Sequence, residues 1–234
     1  MLRIFLFIGI GFLISSSFSQ DTVNQTDLAG RKQGFWRKYD KGGYRIYEGQ
    51  FKDNIPYGKF TYLYRSGKVR AVSLISEEGR VARTTSWFPN GKMMAKGKYV
   101  NEKRDSLWQF FSEFDETLVS EEFYEDGMKV GIEKVYYPGK GLAETITWKD
   151  GKKEGPWEQF YDDGALKIKG TYLNDEKEGL IQTFFVSGNL LGTGQYKNGH
   201  QDGTWSFYDE NGNLKLKEHY DMGILLKSEE FPLK

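Results

Sequence analysis

Cysteine is absent from all 234 residues. Its absence removes disulfides, thiol nucleophiles and cysteine-ligated zinc together, and with them a lipid-anchored lipoprotein signal. Histidine is almost missing too: His200 and His219 are the only two, and neither has the spacing of a known metal motif. Net charge is lacking, with 33 basic and 33 acidic side chains. A chain so balanced has no clustered positive face for nucleic acid or anionic lipid. Apolar residues at a helical 3.6-residue period are not found beyond the first residues.

Long apolar runs are missing as well, except for one. Arg3 is followed by an apolar run from Ile4 to Ile14 and then by Ser15-Ser16-Ser17-Phe18-Ser19. A basic start, a short apolar run and small residues two apart fit a secretory signal peptide over residues 1–19, cleaved to leave Gln20 first. The run is too short to span a bilayer, and nothing after it reads as a stop-transfer segment. The chain is therefore expected to be exported, to a periplasmic, outer-surface or secreted destination, with no membrane span after cleavage. An envelope protein without disulfides must be held by packing alone. Residues 20–33 are polar and aperiodic, and are expected to form a flexible lead-in.

What is present in quantity is glycine, 28 residues, and aromatics at 16%, and both are placed by a repeat. Unit starts fall at Gly34, Gly58, Ala82, Ser106, Gly131, Gly155, Gly179 and Gly203, spaced by 24 residues except for one step of 25. Counting each start as position 0, position 5 is Tyr39, Leu63, Trp87, Phe111, Tyr136, Phe160, Phe184 or Tyr208. Position 17 is Phe51, Ile75, Tyr99, Phe123, Trp148, Tyr172, Tyr196 or Tyr220. A fixed period of this length marks a stacked repeat architecture.

Each unit reads as a hairpin. In the Gly155 unit a short aromatic strand, WEQFY, runs into Asp162-Asp163-Gly164, a turn with glycine available for positive φ. The second strand alternates: Leu166, Ile168, Gly170 and Tyr172 on one face, Lys167, Lys169 and Thr171 on the other. Asn174 to Glu178 reads as a polar connection to the next unit. Position 15 is small in five units (Gly49, Ser73, Gly97, Gly170, Gly194), so a neighbouring ring is expected to lie against the backbone there. Glu121, Ile146 and Glu218 break that pattern. Trp36, Trp108, Trp157 and Trp205 at position 2 have the opposite parity to position 5, and point away from it unless a bulge intervenes. The expected fold is all-β: one elongated antiparallel sheet of about eight tandem hairpins over residues 34–226, about 16 strands, closed by a charged edge strand in the tail that ends at residue 234.

The pattern Gly-x-Trp-x-x-Phe/Tyr-Tyr-x-x-Gly-x-Leu with a later Tyr-x-x-Gly is clearest in GTYLNDEKEG and GQYKNGHQDGTWSFYDENGNL. It resembles the MORN-repeat variant as found in proteins labelled YwqK-family antitoxins, over about residues 34–223. The resemblance implies stacked hairpins and an interaction role without catalysis. For an exported chain, immunity against a toxin acting in the periplasm fits it.

Catalytic alternatives fare poorly. The acid pairs Glu77/Glu78, Glu121/Glu122, Asp162/Asp163 and Glu229/Glu230 fall in turns or strand ends, where solvated charge is the ordinary reading. Gly67-Lys68 and Gly91-Lys92 lack the helix that a phosphate loop opens. No Ser-His-Asp set can be assembled. The chain is therefore read as a non-enzyme without metal or cofactor that binds a protein partner. The candidate contact residues are Tyr39, Trp87, Phe111, Tyr136, Phe160, Phe184 and Tyr208, since aromatics anchor interfaces. Position 17 is expected to be buried and structural. The alternative is an envelope protein recognising a carbohydrate or a lipid headgroup with the same flat rings.

Overall fold

Where the sequence alternates, the chain extends, and where two residues tolerate a left-handed backbone, it turns. The computed structural model describes residues 22–232, so the expected signal peptide lies outside the described residues. The strands are β1 (Gln25–Thr26), β2 (Lys32–Tyr39), β3 (Arg45–Lys52), β4 (Ile55–Leu63), β5 (Val69–Ser76), β6 (Val81–Trp87), β7 (Met93–Val100), β8 (Lys103–Phe111), β9 (Leu118–Glu125) and β10 (Met128–Tyr136). They continue as β11 (Leu142–Lys149), β12 (Lys152–Phe160), β13 (Leu166–Leu173), β14 (Glu176–Lys177), β15 (Gly179–Phe184), β16 (Leu190–Lys197), β17 (His200–Tyr208), β18 (Leu214–Asp221) and β19 (Ile224–Glu230). Each pairs antiparallel with the next in the chain, and β14 and β15 form one row beside β13. The expected all-β sheet of tandem hairpins is what the structure shows. The expected edge strand is β19, and one row more than expected, β1, flanks the eight hairpins at the other end. At roughly 4.8 Å per row the sheet is about 85 Å long.

Two kinds of turn alternate. Within a unit, Gly164 takes φ 90° and donates to the Tyr161 carbonyl at 3.0 Å. Between units, the segment read as a polar connection is instead a two-residue hairpin turn. Asn174 and Asp175 have φ of 49° and 72°, and Glu176 already pairs with Leu173. Asp53-Asn54, Asn101-Glu102 and Asn198-Gly199 do the same, using residues that tolerate this backbone in a hairpin turn. These turns also tie one unit to the next. Asp175 N–H donates to the Lys153 carbonyl at 3.0 Å, Gly199 to Lys177 at 3.1 Å and Gly223 to Gln201 at 2.8 Å.

The unit-start glycine makes a bulge. Ile146 pairs with Trp157 and Trp148 with Lys153, which leaves Glu154, Gly155 and Pro156 across from Thr147 alone. Gly155 bends the strand at φ 118°, and Ser106 does so at φ 58°. Ala82, the one unit start with neither glycine nor a small polar side chain, makes no bulge. There β5 and β6 pair in unbroken register, and the two residues appear instead in a longer turn, Glu77 to Arg80, closed by Arg80 N–H on the Glu77 carbonyl at 3.1 Å.

The lead-in differs from the flexible segment expected. Gln25 and Thr26 pair with Gln33 and Lys32, and the Asn24 side chain bonds both backbone groups of Arg37, at 2.7 and 3.0 Å. The first hairpin edge is thereby covered, whereas β19 at the other end is exposed along its whole length.

Candidate functional site

The two faces of the sheet have different chemistry. On one, the position-2 rings form a spine. Trp157 pairs with Gly170, so its ring lies on the same face as Ile168 and Tyr172. The missing side chain at position 15 does what the sequence suggested. A Cβ built on Gly49 would fall 2.5 Å from the Phe60 ring, and on Gly97 and Gly194 closer still to Trp108 and Trp205. Position-17 rings stand edge-on between them: Phe51 against Phe60 at 5.2 Å, Tyr99 against Trp108 at 4.8 Å, Tyr196 against Trp205 at 5.3 Å. Phe60, Trp108, Trp157 and Trp205 are buried. Position 17 is less so than expected: Phe51 is buried, Tyr99, Trp148, Tyr172, Tyr196 and Tyr220 are half-buried, and Phe123 is 42% exposed. A single layer cannot enclose its own side chains.

The exposure of Phe123 has a local cause. The hairpin loop after Phe111 carries one extra residue, so Phe111 pairs with Leu118 where Phe160 pairs with Leu166. Every later side chain of that strand shifts face. Tyr124 takes the inward place and is buried, and Glu122, not Glu121, sits opposite Trp108.

The seven position-5 candidates lie on the other face, as the parity argument allowed. Tyr39 is exposed, and Trp87, Phe111, Tyr136, Phe160, Phe184 and Tyr208 are half-buried. Tyr39 pairs across the strand with Arg45, and the other six pair with an apolar side chain, as Trp87 does with Met93, Tyr136 with Leu142 and Phe160 with Leu166; polar groups border them. Tyr136 donates to Glu121 at 2.9 Å, Gln109 donates to the same carboxylate at 2.8 Å, and the Lys96 ammonium lies 5.5 Å from the Phe111 ring. Burial, reinforced by Glu121, pushes the Tyr136 phenol up to about 12. The tyrosines at position 6, part of the repeat pattern but not among the candidate contacts, tie units together: Tyr64 donates to the Trp87 carbonyl, Tyr137 to Phe160 and Tyr161 to Phe184, at 2.7–2.8 Å.

The spine lacks a ring at three places: Ile181 fills one with an aliphatic side chain beside Gly170, and the other two are polar. At the fifth unit the large and small partners are exchanged, with Glu133 at position 2 opposite a buried Ile146. Lys129 bridges Glu133 at 2.9 Å and Glu122 at 3.2 Å, Trp148 donates to Glu133 at 2.7 Å, and the Tyr124 hydroxyl donates to Glu122. Burial alone would lower the Lys129 pKa, and the two carboxylates reverse that to raise it.

The second polar place is at the third unit, where Thr84 stands in place of a ring. It faces Ser73, and the two hydroxyls bond each other at 2.7 Å. Above them opens a cleft of about 480 Å³ walled by Phe60, Tyr62, Ile75 and Tyr99, with Arg70, Arg80 and Glu102 at its rim. Burial pushes the Tyr62 phenol up, with Tyr47 and Glu102 adding to this and Arg70 opposing it. Neither His enters such a site: both are exposed, and His219 Nδ1 lies 3.4 Å from the Thr204 hydroxyl. Among the described residues no helix is long and apolar enough to cross a membrane.

A single-layer sheet of tandem hairpins, knit by a ring spine, defines a repeat protein of the kind that presents an extended surface for binding. Residues 80–101, 153–174 and 201–222 match the MORN repeat variant, each match starting two residues before a unit start at Ala82, Gly155 or Gly203. No curated protein matches the chain.

Proposed function

We propose that the protein is an exported, non-catalytic interaction module whose partner is another protein. The observation that carries this reading is the ring face. It carries rows of aromatic side chains, broken at Thr84, Glu133 and Ile181, on which no second layer of the described residues rests, and among those residues none of the large side chains is fully buried. Apolar surface left this way is stabilised by a partner that removes it from water. Immunity against a toxin acting in the periplasm is the narrower form of the proposal, drawn from the resemblance and from the expected signal peptide. We place the contact on the ring face rather than on the position-5 row, most of whose rings already have a leucine or methionine of their own hairpin as cross-strand partner.

Photo-crosslinking in the producing cell tests this. A benzophenone amino acid at Gln159 or Ile168, on the ring face, is expected to give one discrete protein adduct, and at Phe160 or Lys169 none. Adducts from Phe160 alone would return the contact to the position-5 row. Their absence from every position would remove the interaction reading.

A further inference from the structure

We propose that the cleft above Ser73 and Thr84 is a receptor for one aromatic side chain supplied by the partner. The protein itself shows what chemistry this place accepts. In three sister units a small residue at position 15 lies beneath the position-2 ring of the next unit, Phe60 over Gly49, Trp108 over Gly97 and Trp205 over Gly194, while Gly170 has the aliphatic Ile181 there. Each of those rings is met edge-on by the preceding position-17 ring, at 4.8–5.3 Å. Ser73 has Tyr99 on one side, the preceding position-17 residue on the other is the aliphatic Ile75 instead of a ring, and the residue above it is Thr84. Tyr62 and Tyr99, both half-buried, here line a cleft with no ring between them.

The polar groups do not redirect the site toward an ion. Ser73 and Thr84 satisfy one another, so the floor asks nothing of a ligand. Arg80 is paired with Glu77 at 3.3 Å, and the other two rim charges, Arg70 and Glu102, are of opposite sign. A neutral aromatic group with polar atoms only at its outer edge fits that lining. An open cleft across several strands also admits a side chain carried on a polypeptide. That origin of the ring, though not the pocket, rests on the interaction reading above.

The test uses N-acetyl-tryptophanamide as probe, followed by amide chemical shifts of Ser73, Ile75, Thr84 and Tyr99 in the intact protein. Saturable shifts are expected, with binding about tenfold tighter than for N-acetyl-leucinamide, the size of one favourable ring–ring contact. Filling the cleft from within, by Ser73→Gly with Thr84→Trp, is expected to abolish them while leaving the β-sheet spectrum intact. Should that pair fail to fold, Tyr62→Ala, which removes one wall, is expected to weaken binding several-fold. Three results would overturn the proposal: no saturable shift with the probe, binding unchanged in the variants, or methyl glucoside binding better than the indole, which marks a sugar site. Because the probe needs no partner, a protein that still crosslinks but ignores the probe loses only this cleft. One that binds the probe but never crosslinks loses the interaction reading instead.

Discussion

Gly49→Ala isolates the contact that holds the spine together. Gly49 is buried and has no left-handed φ, so alanine meets no backbone penalty there. Its Cβ would lie 2.5 Å from the Phe60 ring, nearly an ångström inside the 3.4 Å where ordinary contact begins. Phe60 is 3% exposed and has Phe51 edge-on at 5.2 Å, so it has little room to retreat. Overpacking of this kind costs about 1–3 kcal/mol, with a ceiling of about 3–5 kcal/mol if the ring is expelled. The smaller unfolded-state entropy of alanine returns about 0.4–1 kcal/mol, which leaves about 2 kcal/mol net. Gly170→Ala is the matched control, because its nearest ring atom is 3.3 Å away and a few tenths of an ångström suffice. Its net cost should be within about 0.5 kcal/mol of zero, the two small terms offsetting. With an m-value near 2 kcal/mol/M the two proteins should differ by about 1 M in urea midpoint. The cost should also vanish when Phe60→Ala is already present, since the clash partner is gone. Equal midpoints, or a Gly49→Ala cost that survives removal of the ring, would refute the reasoning.

Other expectations follow the same geometry. Tyr172→Ala should cost about 2–3 kcal/mol by urea unfolding, below the 3–5 of a fully buried aromatic, because the ring is half-buried; Tyr220→Ala, with less sheet beyond it, should cost less. Lys129→Met leaves Glu122 and Glu133 facing each other and should cost about 2–4 kcal/mol, while Glu122→Gly, Glu133→Trp and Ile146→Gly together with Lys129→Met should recover most of it by restoring the ring-over-glycine pairing. Tyr136 is raised in the folded state to about 12, above an unfolded value near 10. Its contribution is therefore complete below pH 10 and is lost as pH rises toward 12, so Tyr136→Phe should flatten the alkaline fall in urea midpoint and remove the last phenolate to appear by absorbance. Mass spectrometry of envelope material should find an N-terminus near Gln20, and an intact Met1 in the membrane fraction would instead mean an uncleaved anchor.

Much of the architecture was legible because the period places the same side-chain types at the same depth. Position 15 is the best case: a residue read as small for the sake of a neighbouring ring has that ring on it at Gly49, Gly97 and Gly194. What escaped were features that depend on register. The turn signal Asn198-Gly199 stood in the open, but a second glycine, Gly203, follows four residues later and only the left-handed pair of φ values at Asn198 and Gly199 shows which of them turns the chain. The extra residue in the loop after Phe111 inverts a whole strand, so Glu121 looked like the exception when Glu122 occupies the place. Glu133 and Ile146 looked like two separate faults, and are one exchange across a single cross-strand pair. The cleft at Thr84 was invisible for a similar reason. A threonine in a strand is unremarkable until the pairing shows which ring it replaces.

The chain runs from one end of the meander to the other with every row lying across that path. Tension applied between the two termini would therefore peel rows apart one by one instead of shearing many hydrogen bonds at once. Each row advances the sheet by roughly 4.8 Å but stores about a dozen residues, some 40 Å of extended chain at about 3.4 Å each. Stretching would thus proceed as a series of small, weak, equal steps, to roughly eight times the folded length. Such a molecule would lengthen under load while the hairpins not yet reached stay folded.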